Sequence, residues 1–337
     1  MKIRFLLFWA FLAGASADSA SDYIRVSDAP GGTRVLEIAV RTFAVPGTPA
    51  RSLSFVGVSH IGTARYYENL QTLLDSADLV LFEGVGGDEE DFRKPNRDQI
   101  DEASAMQVAL ARALELEFQL HAIDYDRDHF VNSDMTVLEM FALFSGENPD
   151  ELSEEGLHRL RETMETMQGQ GLSGQLLEMM IGRVETHPGF RRGFAWAMVE
   201  ILGTLRGDMS EMKGLPQDMR DLLTILLEKR NDVVVRDVAE VLGQPAPPGH
   251  IMVFYGAAHM YDLEKRLVEK FSLEPVATQW FPAFSGNLQA SGLNALQKRL
   301  LNGYVRQQVQ TMRMMMPDNR SKEDGTGDTP MALPDNG

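Results

Sequence analysis

Four short apolar runs, Ser52–Val58, Leu79–Glu83, Phe118–Asp124 and Ile251–Gly256, set the strongest limit on what this chain can fold into. Each is nearly continuous rather than alternating, as a strand buried on both faces of a parallel sheet requires. Thr33–Ala44 instead alternates, with Val35, Leu36, Ile38, Val40 and Phe43, and reads as an edge or hairpin strand; Val276–Phe281 reads as a last strand. Helical spacing fills the gaps. Ala64–Ser76 sets Tyr67, Leu70 and Leu74 on one face, and Gln99–Leu116 repeats apolar residues at the same period. That order predicts an α/β fold: a central, mostly parallel β-sheet flanked by helices and joined by right-handed crossovers.

From Ser133 to Gly243 the chain turns helical, rich in Met and Glu, with few strand signals. Leu152–Gln168, Leu172–Val184, Phe190–Leu205 and Met219–Leu242 would build a helical insertion (about 133–243) within a single domain spanning 18–316. In Leu288–Met315, residues Leu293, Leu296, Leu300, Val305 and Val309 form one apolar helical face, suited to the sheet or to a second copy in a homodimer. The polar, charged stretch 317–337 reads as a disordered tail.

Residues 1–17 carry Lys2 and Arg4, an apolar run Phe5–Ala13 and the small residues Ala15-Ser16-Ala17, the pattern of a cleavable signal peptide. The expected location is periplasmic or secreted, and no later stretch is apolar enough to span a membrane. The formal charge is −17, an acidity that disfavours nucleic acid as a partner. With no cysteine in the chain, thiolate metal sites and thiol nucleophiles are excluded, so a metal would have to be held by His, Asp or Glu.

Two of the buried runs end alike. Phe55-Val56-Gly57-Val58-Ser59-His60 and Val253-Phe254-Tyr255-Gly256-Ala257-Ala258-His259 both carry glycine near the strand end and histidine three residues later. A third run, Leu79-Val80-Leu81-Phe82-Glu83, ends on a carboxylate, a group whose desolvation must be offset by a partner or a metal. Ligands gather outside the carboxyl ends of strands in open α/β sheets, and glycine lets the backbone approach closely there. His60, Glu83 and His259 therefore form one candidate site. They can hold a divalent cation with a position open for water, or one histidine can act as general base with Glu83 beside it. Asp124, at the end of the Phe118–Asp124 run, is a candidate orienting residue or further ligand.

The segment Gly57–Glu83 ("GVSHIGTARYYENLQTLLDSADLVLFE") together with Gly256–His259 ("GAAH") resembles the TraB/PrgY/GumN family, grouped with Tiki proteases, erythromycin esterases and haem-binding iron-regulated lipoproteins. That family's pattern pairs two Gly-x-x-His motifs with a glutamate after the first and an Arg-Asn pair before the second; here these fall on His60, His259, Glu83 and Arg230-Asn231. The resemblance implies an erythromycin-esterase-like or haem-binding-lipoprotein-like fold. It implies catalytic roles for His60, Glu83, His259, Arg230 and Asn231, and cofactor contacts at Gly57, Gly256 and Asp124. His60, Glu83 and His259 would be the metal ligands, with Mn or Co as the metal and Zn as an option. Arg230 would bind a substrate carboxylate or steady an oxyanion.

Three functions remain open on the sequence alone. One is a metal-dependent, peptidase-like hydrolase in which water attacks a peptide or related carbonyl of a peptide or small-molecule substrate. Another is a haem or small-ligand binding protein without turnover. The last is a metal-independent esterase with His60 as general base.

Overall fold

The computed structural model describes residues 22–48, 51–84, 104–145, 182, 184 and 187–316. The expected signal peptide, the glycine-rich residues after Gly84, the segments Leu152–Gln168 and most of Leu172–Val184, and the 317–337 tail lie outside the described residues.

The fold is α/β. Its strands are β1 (Ile24–Ala29), β2 (Thr33–Ala44), β3 (Ser52–Val58), β4 (Ile61–Gly62), β5 (Leu79–Phe82), β6 (Glu117–Phe118), β7 (Phe130–Asn132), β8 (His250–Gly256) and β9 (Glu274–Gly286). The helices are α1 (Ala64–Leu74), α2 (Ala105–Leu114), α3 (Gln119–Ala122), α4 (Val137–Ser145), α5 (Pro188–Leu202), α6 (Gln217–Leu223), α7 (Arg230–Leu242), α8 (Met260–Phe271) and α9 (Ala295–Met315). Among the described residues seven strands make one mixed sheet. Its parallel part runs β3-β8-β5-β7, and β1, β2 and β9 add an antiparallel wing beside β3.

Three of the four continuous apolar runs, those of β3, β5 and β8, form the parallel part because both of their faces are covered. Leu53, Phe55, Val56, Val80, Ile251, Val253, Phe254 and Tyr255 are all 0–1% exposed. Burying a side chain such as Phe254 favours the fold by roughly 2 kcal/mol. On one flank α1 turns Tyr66, Tyr67, Leu70 and Leu74 inward, and its first turn is capped by the Thr63 hydroxyl, which accepts from the Tyr66 N–H. α8 buries Met260, Leu263, Glu264 and Leu267.

Two expectations are corrected and one is narrowed. Of the two readings of Thr33–Ala44 the hairpin holds and the edge does not: β2 closes a hairpin with β1 across Pro30–Gly32 and is paired along both sides, with β9 on one and with β1 and β3 on the other. Its alternation reflects the pleat, not an open margin. β9 lies outside β2, and its Pro275 and Pro282 sit at the two register shifts of that pairing, where a missing N–H is tolerated. Phe118–Asp124 is not a strand. It splits into the two-residue β6 and the single turn α3, and the parallel place beside β5 is taken by the three-residue β7.

Finally, the α9 face is narrower than its sequence suggests. Val305 is buried and packs with Leu293, Leu301 and Val309 against Trp196 and Ala197 of α5, whereas Leu296 and Leu300 are 65% and 64% exposed. The five-residue step from Leu300 to Val305 leaves the stripe, so Leu296 and Val305 lie about half a turn apart round the helix.

Candidate active site

The register of the parallel strands decides what meets at their carboxyl ends. Val58 of β3 is level with Gly256 of β8, and Phe82 of β5 with Phe254 of β8. β8 lies between the other two, so Gly256 stands between His60, just past β3, and Glu83, just past β5. A Cβ built on Gly256 would lie 3.2 Å from Glu83 Oε2 and 3.5 Å from His60 Nε2. Glycine here keeps open the space between an imidazole and a carboxylate. Gly57 serves the packing of β3 on β2 instead, since a Cβ there would meet Ile38 Cγ2 at 3.0 Å and the Ala39 carbonyl at 3.1 Å.

Glu83 is 10% exposed, and both of its oxygens are engaged. Oε2 accepts from the Gly256 N–H at 2.7 Å, and Oε1 accepts from Arg230 Nη2 at 2.6 Å. His259 Nε2 stands 3.6 Å from Oε1. Burial alone would push this carboxyl up; Arg230 above all, with both imidazoles and the Gly256 N–H, holds it well below the usual carboxylate range. Glu83 is therefore a buried anion at neutral pH.

Arg230 opens α7 directly after a π-helical stretch, Thr224–Lys229, an irregularity often found at functional sites. Its guanidinium has five N–H donors, and all five are engaged. Nε and Nη2 fork onto Asp134 at 2.9 and 2.7 Å, and Nη2 also reaches Glu83. Nη1 donates to the Leu226 carbonyl and faces His259 Nε2, each at 3.3 Å. Burial opposes the charge, but Glu83 and Asp134 together raise the Arg230 pKa further. Arg230 thus has no donor left over for a substrate carboxylate or an oxyanion.

Asp134, with a side chain 0% exposed, was not anticipated from the sequence. It follows β7 as Glu83 follows β5, and besides the fork it accepts from the Gly84 and Met135 N–H groups. Burial raises its pKa against the pull of Arg230.

His259 is 4% exposed and held in one tautomer. Arginine can only donate, so Nε2 is the acceptor and Nδ1 carries the hydrogen, which goes to Asn231 Oδ1 at 2.9 Å. Asn231 Nδ2 in turn donates to Asp262 at 2.8 Å, which fixes the orientation of the amide. Burial first, then Arg230 and His60, lower the His259 pKa to about 4, outweighing Glu83. His259 is neutral in the folded protein.

His60 differs from the rest of the cluster: it is exposed. Its loop is pinned by α1, since the Ser59 N–H donates to the Tyr66 hydroxyl at 3.1 Å and the Tyr67 hydroxyl donates to the Ser59 carbonyl at 2.8 Å. The His60 Nδ1 lies 3.0 Å from Oε1 of buried Gln119, leaving Nε2 on the side of Gly256 and Glu83.

The structure therefore brings together His60, Glu83, Arg230, Asn231, His259 and Gly256. It does not bring Asp124 to them. That carboxylate is 54% exposed and pairs with Arg127 at 2.5 Å on the surface. Asp134, Gln119 and Asp262 are the residues that sequence reasoning missed. Asp134 left one usable trace, its place just after the short apolar Phe130-Val131; Gln119 and Asp262 left none.

As arranged, His60, Glu83 and His259 do not offer three free donor atoms to one point, because Arg230 lies against Glu83 Oε1 and His259 Nε2. Among the described residues no cluster of three or more His, Cys, Asp or Glu is disposed to hold a metal ion, and no helix is long and apolar enough to cross a membrane. No protein-family model, no curated protein and no solved structure matches the chain.

Proposed function

We propose that this chain is a hydrolase of ester or amide carbonyls in which His60 is the general base and Glu83 the buried anion beside it. The observation that carries this reading is the contrast within the cluster: every Arg230 donor is spent on protein and His259 is sealed, while His60 is open to solvent. A water between His60 Nε2 and Glu83 gives its proton to Nε2 as its oxygen bonds to the acyl carbon. The imidazolium so formed then returns a proton to the departing alkoxide or amine. The paired Gly-x-x-His motifs and the Glu83 position support placing the fold with the erythromycin-esterase-like members of the TraB/PrgY/GumN group. The charged start, apolar run and small residues of 1–17 support export to the periplasm or medium.

The test is release of product from a panel of esters, lactones and peptides by the mature protein, beside His60→Ala, before and after exhaustive chelation. Activity that survives chelation and disappears in His60→Ala is the expected result. Activity lost on chelation and restored by Mn, Co or Zn would replace this reading with the metal-dependent hydrolase; Arg230 would then have to release Glu83 and His259 so that both could join His60 as ligands. A Soret band on titration with hemin, with no turnover of any substrate, would replace it with a binding protein.

A further inference from the structure

Gln119 is a neutral side chain, 2% exposed, with no reactive chemistry of its own, yet all its hydrogen bonds to side chains point at the candidate base or its support. Its Oε1 lies 3.0 Å from His60 Nδ1, its Nε2 donates to the Tyr125 hydroxyl at 3.0 Å, and its backbone N–H donates to the His60 carbonyl at 2.9 Å. Tyr125 is itself buried against Phe82, with ring centroids 5.0 Å apart, and beside Phe130 and Phe254. The amide is thus held at both ends, one by the aromatic core and one by the histidine.

We propose that Gln119 is a positioning residue for His60: its amide oxygen selects the tautomer with hydrogen on Nδ1 and leaves the Nε2 lone pair facing the gap between Gly256 and Glu83. The second histidine supplies an internal precedent. At His259 an amide oxygen, that of Asn231, also meets Nδ1, and there the assignment is forced by Arg230 on Nε2 and by the Asp262 carboxylate on the Asn231 amino group. Both strand-end histidines then share one device, a buried amide behind Nδ1 and Nε2 presented to the Glu83 side. Without it, imidazole in water favours hydrogen on Nε2, which would place a donor where general-base catalysis needs an acceptor.

The inference rests on the reading of His60 as a proton acceptor, but its first test needs no substrate. In protein labelled with ¹⁵N at histidine, long-range ¹H–¹⁵N spectra at about pH 8 distinguish protonated from unprotonated ring nitrogens. The expected wild-type result is hydrogen on Nδ1 of His60. Gln119→Leu, which offers no acceptor, is expected to shift His60 mainly to the Nε2-protonated form, and Gln119→Glu to restore hydrogen on Nδ1. Once a substrate is in hand, Gln119→Leu should lower kcat by about 10- to 100-fold with KM within about twofold. Hydrogen on Nε2 in the wild type, or an unchanged His60 tautomer in Gln119→Leu, would overturn the proposal. The wild-type spectrum decides this even if Gln119→Leu fails to fold, and it does so whether or not the protein proves to be a hydrolase.

Discussion

Arg230 and Asp134 meet through two parallel N–H···O bonds, Nε to Oδ1 at 2.9 Å and Nη2 to Oδ2 at 2.7 Å, and the remaining reach of Nη2 takes in Glu83. One buried cation is thereby shared by two buried carboxylates that follow adjacent parallel strands, β5 and β7. Such a group is costly to desolvate and costlier to break, since removing the middle member leaves two uncompensated charges.

Arg230→Ala should accordingly destabilise the fold by about 3–5 kcal/mol. Arg230→Lys should recover only part of that loss, because an ammonium cannot fork onto Asp134 while also reaching Glu83. Urea denaturation followed by circular dichroism measures both. A loss under about 1 kcal/mol in Arg230→Ala would mean that the triad does not hold the strand ends together.

Acid should weaken the fold through His259. Its pKa falls from 6.5 to about 4 on folding, so in that window the unfolded chain binds a proton that the native protein does not. Stability therefore drops as pH is lowered from about 6.5 to about 4. The Glu83 shift adds a further loss at more acidic pH, and the raised Asp134 carboxyl works the other way. His259→Asn keeps a donor toward Asn231 without the titration, so its urea midpoint should vary less across this window than that of the wild type. Equal slopes would remove His259 as the cause.

The two glycines should respond differently to the same change. Gly57→Ala pushes a methyl against Ile38 and the Ala39 carbonyl of β2, an overpacking expected to cost about 1–3 kcal/mol. Gly256→Ala places its methyl between Glu83 and His60, so it should lower hydrolytic turnover more than it lowers the melting temperature. Thermal melts and turnover of both variants, measured together, check this contrast.

His60→Ala and Asp124→Ala form the other informative pair. Loss of the base should reduce turnover by about 10²- to 10⁴-fold with the fold intact. Asp124 contributes an exposed ion pair with Arg127 and accepts the Asp126 N–H in a surface turn, so its removal should leave turnover unchanged and cost about 1 kcal/mol. A large activity loss in Asp124→Ala would bring that loop back into the site.

The local sequence determined the strands and helices whose signal is local. β2 and β3 coincide with Thr33–Ala44 and Ser52–Val58, and α1 starts at Ala64 as its spacing indicates, because side-chain periodicity and continuous apolar runs report burial directly. The Gly-x-x-His ends placed His60 and His259 at strand termini for the same reason. Tertiary structure decided what periodicity cannot carry. β7, with three residues, is too short to show a period, and the run at Phe118 breaks after β6 so that Gln119 can reach back to His60. Leu296 and Leu300 carry apolar spacing and still face outward, since only the position of α5 sets which stripe of α9 is covered. Arg230 and Glu83 are 147 residues apart, and Arg230 and Asp134 are 96 apart. Hydrogen-bond saturation depends on where β5, β7, β8 and α7 converge in space. Sequence alone thus named the histidines and the glutamate, and only the fold could show that Arg230 is already fully spent on its neighbours while His60 is left open to solvent.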